Sequence, residues 1–222
     1  MYAFSFEKFV EAFLPILSKM GDTLFLTAGT FVIAMILAMI LAFLSLGKNP
    51  VIGFMLKIWM SFFRGTPVLV QLFFFVYGLF PNIPGIKGLG AEWHAIICLS
   101  LAYSSYMSET IRGAILSVDR GQFEGGYSIG MSTAQTMRRV VLPQAFRMAV
   151  PPLSNNFLEI FKGTALASMV GITEMMLKAK MISSKNLRFM ETYLAVLFIY
   201  WALNILFTSI QKLLEQSLNR RV

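Results

Sequence analysis

The stretch "EGGYSIGMSTAQTMRRVVLPQAF", Glu124 to Phe146, decides how this chain folds. Apolar runs flank it, yet it is polar, glycine-bearing and basic near its end. Asp119, just upstream, suits the N-cap of a short helix, with Gln122 three residues on to reach back. That helix runs to about Ile129, and Gly130 suits a left-handed position that ends it. Ser132 and Gln135 form a second cap of the S-x-x-Q type, opening another short helix. Arg138 and Arg139 fall near its C-terminal end, where cations suit the helix dipole. Pro143 cannot continue a helix interior, so the chain is expected to turn there toward the next apolar run. Residues 117–147 therefore read as a compact knob of two short helices around a glycine elbow. Ordinary connections have a median of about 4–6 residues, and one of roughly 30 with its own caps points to docking rather than to a slack loop.

The flanking sequence sets the solvent. Of 222 residues, 57% are apolar and 14% charged. A soluble domain has about 45–50% and about 25%. That balance points to lipid. One Cys and one His exclude a disulfide framework and a Cys/His metal cluster. Cys98 reads as core packing and His94, beside Trp93, as an interfacial polar tip. The net charge of +8 fits loops retained on the cytoplasmic side of a membrane. No basic face interleaved with aromatics is present, which argues against nucleic acid.

A helix needs about 20 apolar residues to cross the hydrocarbon core. Thr23–Gly47 is uncharged over 25 residues, Gly65–Ile86 over 22 and Thr192–Gln211 over 20. Trp93–Ser108 gives 16, lengthened by a turn carrying Glu109 and Arg112. Met148–Thr173 is apolar apart from Glu159 and Lys162. Five spans follow, at about residues 22–47, 58–80, 93–116, 148–173 and 191–212, within a domain covering 21–215. The loops between spans 1–2 and 3–4, with the C-terminal tail, hold eleven cations, Arg220 and Arg221 among them. The other side holds seven. This bias puts the knob and the C-terminus in the cytoplasm and the N-terminus outside.

Residues 1–20 lack a basic leader region and an unbroken apolar run, so they are not expected to be a cleavable signal. Phe6, Phe9, Val10, Phe13, Leu14 and Leu17 recur at helical spacing, with Glu7, Lys8 and Glu11 opposite. They predict an amphipathic helix lying in the outer interface. Glu109 and Arg112, at i and i+3, read as a structural pair at the end of span 3.

The spacing Glu124-Gly125-Gly126-x-x-x-Gly130, then nine residues, then Val140-x-Leu142-Pro143 resembles the EAA loop of ABC importer permeases. "RGTPVLVQLFF", Arg64 to Phe74, looks like the R-G-T-P-x-x-x-Q signature of their polar amino acid branch. The similarity covers about residues 20 to 215 and departs at Gly125-Gly126, where alanines are usual. Glycine costs about 1 kcal/mol per site in a helix interior, so the first knob helix should be softer than in such relatives. The resemblance implies an all-α, five-span type I importer permease (MetI-like) fold in the prokaryotic inner membrane. It implies ATPase subunits gripping the knob through Glu124, Gly125, Gly126, Gly130, Ser132, Arg138, Arg139, Leu142 and Pro143. It further implies an extracytoplasmic amino acid-binding protein, a second permease chain that is a copy or a relative, and a polar amino acid as cargo. The chain has no G-x-x-x-x-G-K-[ST] loop, so ATP and magnesium belong to the partner and no cofactor is expected here.

Polar groups at membrane depth mark pathways. Asn155, Glu159 and Lys162, four and seven residues apart, share one face of span 4, with Asn156 about 100° round. Pro151 and Pro152 should break or tilt the helix entry. A cation such as Lys162 receives a carboxylate; Glu159 or amide oxygens receive an ammonium. Equally, Glu159 and Lys162 neutralise each other at i and i+3, and both readings stand at this point. The resemblance implies that the span near Lys162 lines the path. Ser104 and Ser105 on span 3 either meet cargo or permit close helix packing. Gln71 belongs to the second signature, and Thr66 reads as a cap with Pro67 at the first helical position. The alternative is a self-contained secondary transporter with Glu159 as ion carrier. It would need inverted repeats, and none is visible in five spans.

Overall fold

The computed structural model describes residues 4–219. Arg220 and Arg221, counted above, lie outside them. Every regular element among the described residues is helical. In chain order these are α1 (Phe6–Leu17), α2 (Met20–Ser45), α3 (Pro50–Gly65), α4 (Val68–Phe73), α5 (Ala91–Leu116), α6 (Arg120–Ser128), α7 (Thr133–Thr136), α8 (Leu142–Gly163), α9 (Met175–Asn186) and α10 (Phe189–Asn219). π-helical turns occupy Phe74–Leu79 and Met137–Val141, and 3₁₀ turns Phe80–Asn82 and Thr164–Val170.

The chain divides into two compact units, the first Met1–Ile33, Thr66–Ser100 and Phe157–Ile210, the second Ala34–Gly65, Leu101–Asn156 and Gln211–Val222. The core of the first gathers Ala12 and Ile16 of α1, Phe161 of α8, Met175 and Ala179 of α9, and Ala195, Val196 and Ile199 of α10. Rings of Phe161 and Tyr200 lie 5.1 Å apart and those of Phe161 and Phe207 5.2 Å, an aromatic seam worth more than its area alone. Between α2 and α5 the backbones approach closely. A Cβ on Gly29 would stand 3.1 Å from Ile96 Cδ1, and Ser100 Oγ donates to the Thr30 carbonyl at 3.2 Å. Small residues and serine bridges are how helices associate where lipid removes the hydrophobic drive.

α1 is amphipathic, with Ser5 as its N-cap and a Lys8–Glu11 pair at 2.8 Å. Its apolar stripe is divided, however. Ala12 and Ile16 are buried against protein, while Phe6, Val10 and Leu14 are exposed. Phe9 meets Phe198 of α10 edge-on, and the Ser5 amide donates to Glu191 at 3.0 Å. Interfacial periodicity and protein docking therefore share one helix.

α2 and α10 are each long and apolar enough to cross a membrane, and bent helix pairs raise the possible crossings to four. α5, at 26 residues, is long enough but polar. Its serines at 100, 104, 105 and 108 are all buried. A helix enclosed by protein does not need a lipid-grade surface.

The second expected span is not one helix. α3 begins at Pro50 rather than near Ile58, because Asn49 Oδ1 accepts from the amides of Val51 and Ile52 at 2.9 and 3.3 Å. The helical path then breaks at Thr66–Pro67, since proline lacks an amide and disfavours helix at the residue before it. Pro67, not Thr66, is the N-cap of α4; Thr66 Oγ1 accepts from Gln71 Nε2 at 2.8 Å instead. His94 is buried, with Nε2 2.9 Å from the Ile86 carbonyl. Cys98 is fully buried.

Candidate functional site

The knob is built in the second unit from α6, α7 and the π turn that leads into α8. Asp119 caps α6 by accepting from the Gly121 amide at 2.7 Å. Gln122 does not reach back as anticipated; its Oε1 accepts from Gln144 Nε2 at 3.0 Å, tying α6 to the first turn of α8. Gly130 adopts φ +78°, and the Met131 amide closes onto the Gly126 carbonyl at 3.0 Å. This is the six-residue closure of a Schellman ending. Ser132 and Gln135 form the reciprocal box, with distances of 3.3 and 2.8 Å.

The two glycines of the motif differ. Gly125 faces open space, with nothing within 4 Å of an added Cβ. Gly126 is buried, and a Cβ there would lie 2.6 Å from Thr136 Cγ2 and 2.7 Å from its Oγ1. The departure from alanine thus has a local cause at 126, where α6 lies against Thr136. Thr136 is itself fully buried, and its hydroxyl has no hydrogen-bond partner among the described residues. Glu124, Tyr127, Ile129, Arg138 and Arg139 are exposed.

Pro143 does not turn the chain. Helical backbone continues from Thr133 through the π turn into α8, with Pro143 its second residue. The wider π register is what lets the ring and its missing amide fit, as π bulges do elsewhere in helices. Leu142 is half-buried and Pro143 exposed. Pro151 and Pro152 likewise sit inside α8 without ending it. The Val150 and Pro151 carbonyls accept from Ser154 Oγ at 2.9 Å and Gln211 Nε2 at 3.5 Å.

Of the residues proposed to meet cargo, α8 carries four. Asn155 Oδ1 accepts from Gln211 Nε2 at 3.2 Å, and Asn156 Oδ1 from Thr110 Oγ1 at 3.2 Å. Glu159 and Lys162 belong to the first unit, and both are exposed. Ser104 and Ser105 are fully buried in the second unit, and Ser104 Oγ donates to the Leu101 carbonyl at 2.7 Å. Gln71 is buried, its amide held by the Thr66 carbonyl and hydroxyl. The Glu109–Arg112 pair forms as read, at 2.9 Å.

Sequence reasoning passed over Glu174. It is fully buried and caps α9 through the amides of Met176 and Leu177 at 2.9 and 2.8 Å. It also accepts from Tyr200 Oη at 3.2 Å and Thr23 Oγ1 at 3.5 Å. One carboxylate thus joins α2, α9 and α10. The only signal for it is an isolated acid between apolar residues.

Residues 15–220 match the family described as "Binding-protein-dependent transport system inner membrane component". The chain belongs to this family. It is similar to the probable amino-acid ABC transporter permease protein PatM of Vibrio harveyi, at 44% identity over 98% of this chain and 97% of that one. It is also similar to the L-cystine transport system permease protein TcyB of Bacillus subtilis (strain 168), at 42% identity over 96% and 90%. Among solved structures, an amino acid ABC transporter crystallised with histidines matches with a TM-score of 0.88 and 28% identity, covering 97% of this chain and all of that one. The MetNI methionine transporter, at 17% identity and a TM-score of 0.71 over 98% and 99%, shares the fold. The all-α importer-permease architecture read from the knob and its flanks is therefore this chain's fold, and the protein is the permease subunit of an ABC importer.

Proposed function

We propose that this permease carries polar amino acids and is driven through its knob by separate ATPase subunits, which use ATP and magnesium. The observation that carries this reading is the knob's construction. Both of its helices are capped, its elbow is fixed by Gly130, and its last turn runs into α8 without a break. A segment so tied moves as a body, and a helix shifted at one end transmits that shift as rotation or translation rather than absorbing it. α8 is also the helix that carries Asn155, Glu159 and Lys162.

In this reading Lys162 receives the cargo carboxylate, and Glu159 with the amides of Asn155 and Asn156 receives the ammonium. Ser104, Ser105 and Gln71, all buried, serve packing in this reading. An extracytoplasmic binding protein delivers the amino acid, and a second permease chain completes the path. The knob and C-terminus lie in the cytoplasm of a prokaryotic cell and the N-terminus outside.

Reconstitution in liposomes with and without the ATPase tests this. Amino acid uptake is expected to require ATP and to vanish with Glu124→Lys. Uptake driven by an ion gradient alone would overturn the reading. Lys162→Met is expected to abolish uptake while leaving ATPase assembly intact, and unaltered uptake would make Lys162 structural.

A further inference from the structure

A second candidate site lies in the second unit, on residues that neither the α8 face nor the knob supplies. A cavity of about 360 Å³ opens between the end of α2, α3 and the last turns of α5, lined by Ser45, Gly53, Leu56, Lys57, Met60, Glu109 and Arg112. At 100° per residue Gly53, Lys57, Met60 and Arg64 share one face of α3. Gly53 supplies the opening, since a Cβ there would meet nothing within 4 Å.

The charge in and beside this cavity is unbalanced. Glu109 is held by Arg112, with contacts of 2.9 and 3.4 Å. Lys57 is exposed and has no ion-pair partner among the described residues. Arg64, two turns further along α3, stands 5.7 Å from the centroid of the Tyr106 ring on α5. Three cations thus gather around one carboxylate. On the adjoining side of α3, Val51, Phe54, Met55, Ile58 and Phe62 form an exposed apolar stripe, with a groove along Met55, Ile58, Trp59 and Phe62. Lys57 stands between the polar cavity and the apolar stripe. A cationic pocket bordered by an acyl-compatible surface is the arrangement that anionic headgroups seek between membrane helices.

We propose that this cavity binds the phosphate of an anionic phospholipid, held by Lys57 and the free edge of Arg112, with an acyl chain along the α3 stripe. The site rests on the membrane character of the chain and not on its orientation or cargo, so a failed transport assay leaves it untouched. It makes α3 a lipid-anchored element rather than part of the path.

The test uses the full chain in detergent micelles doped with phosphatidylglycerol or phosphatidylcholine, with retained lipid counted by native mass spectrometry. Wild type is expected to keep one phosphatidylglycerol in preference to phosphatidylcholine. Lys57→Gln is expected to weaken that retention about fivefold, the effect of one near-surface cation. Gly53→Phe, which fills the opening, should abolish it, and Lys48→Gln, which alters the same end of the molecule without lining the cavity, should leave it unchanged. A parallel titration with inorganic phosphate separates the sources. Competition at millimolar phosphate would overturn the lipid assignment and leave a soluble anion as the occupant. Equal retention of both lipids, or an equal loss with Lys48→Gln and Lys57→Gln, would overturn the proposal.

Discussion

Two residues make opposite predictions although they sit side by side. Gly125→Ala places a methyl in open space and gains up to about 1 kcal/mol of helix propensity; thermal unfolding should show a neutral or stabilised protein. Gly126→Ala drives its methyl into Thr136 and should destabilise the knob by about 1–3 kcal/mol, the usual cost of overpacking. Pairing it with Thr136→Ala removes the clash, so a double-mutant cycle should recover most of the loss. Additive losses would show that the two residues do not oppose each other. Glu174 offers a third test. Glu174→Ala removes a helix cap and strands the Tyr200 hydroxyl, a loss of about 2–4 kcal/mol that should appear as a lowered unfolding temperature. An unchanged temperature would show that α2, α9 and α10 do not depend on this carboxylate.

At the scale of elements, the knob shows how far local chemistry reaches. The Asp119 and Ser132 caps and the glycine elbow were legible because they depend on residues two to five apart; the reach-back by Gln122 was misread because its partner, Gln144, is 22 residues on. Ser132→Ala should therefore cost about 1 kcal/mol in α7 and weaken ATPase binding in a pull-down from membranes, while retained binding would make that cap dispensable. Pro143 was misread as a turn because the sequence does not announce a π register, which depends on how the preceding helix is held. The break at Thr66–Pro67 was written in the proline, but the early start of α3 needed the Asn49 cap to be weighed against a run containing Lys57. The candidate cargo residues divided in the same way. Helical spacing placed Asn155, Glu159 and Lys162 on one face of α8, but it could not tell that Ser104, Ser105 and Gln71 are covered by the protein's own packing. Burial is a tertiary property, and a serine-rich helix reads alike whether its hydroxyls face a path or a neighbour. The role of Glu174 in joining helices was not legible because its Tyr200 and Thr23 partners are 26 and 151 residues away.

For the whole molecule, the proposed function makes a rigid polar knob, gripped by a nucleotide-hydrolysing partner, the drive of the permease. Ile129 is the natural probe. It ends α6, is 73% exposed, and can carry the one reactive thiol, because the native Cys98 is buried. Labelling Ile129→Cys with a membrane-impermeant maleimide, in inverted and right-side-out vesicles with and without the ATPase, examines both halves of that account at once. Modification only in inverted vesicles, suppressed when the ATPase is present, is the predicted result. Modification in right-side-out vesicles, or labelling that the ATPase leaves unchanged, would contradict it.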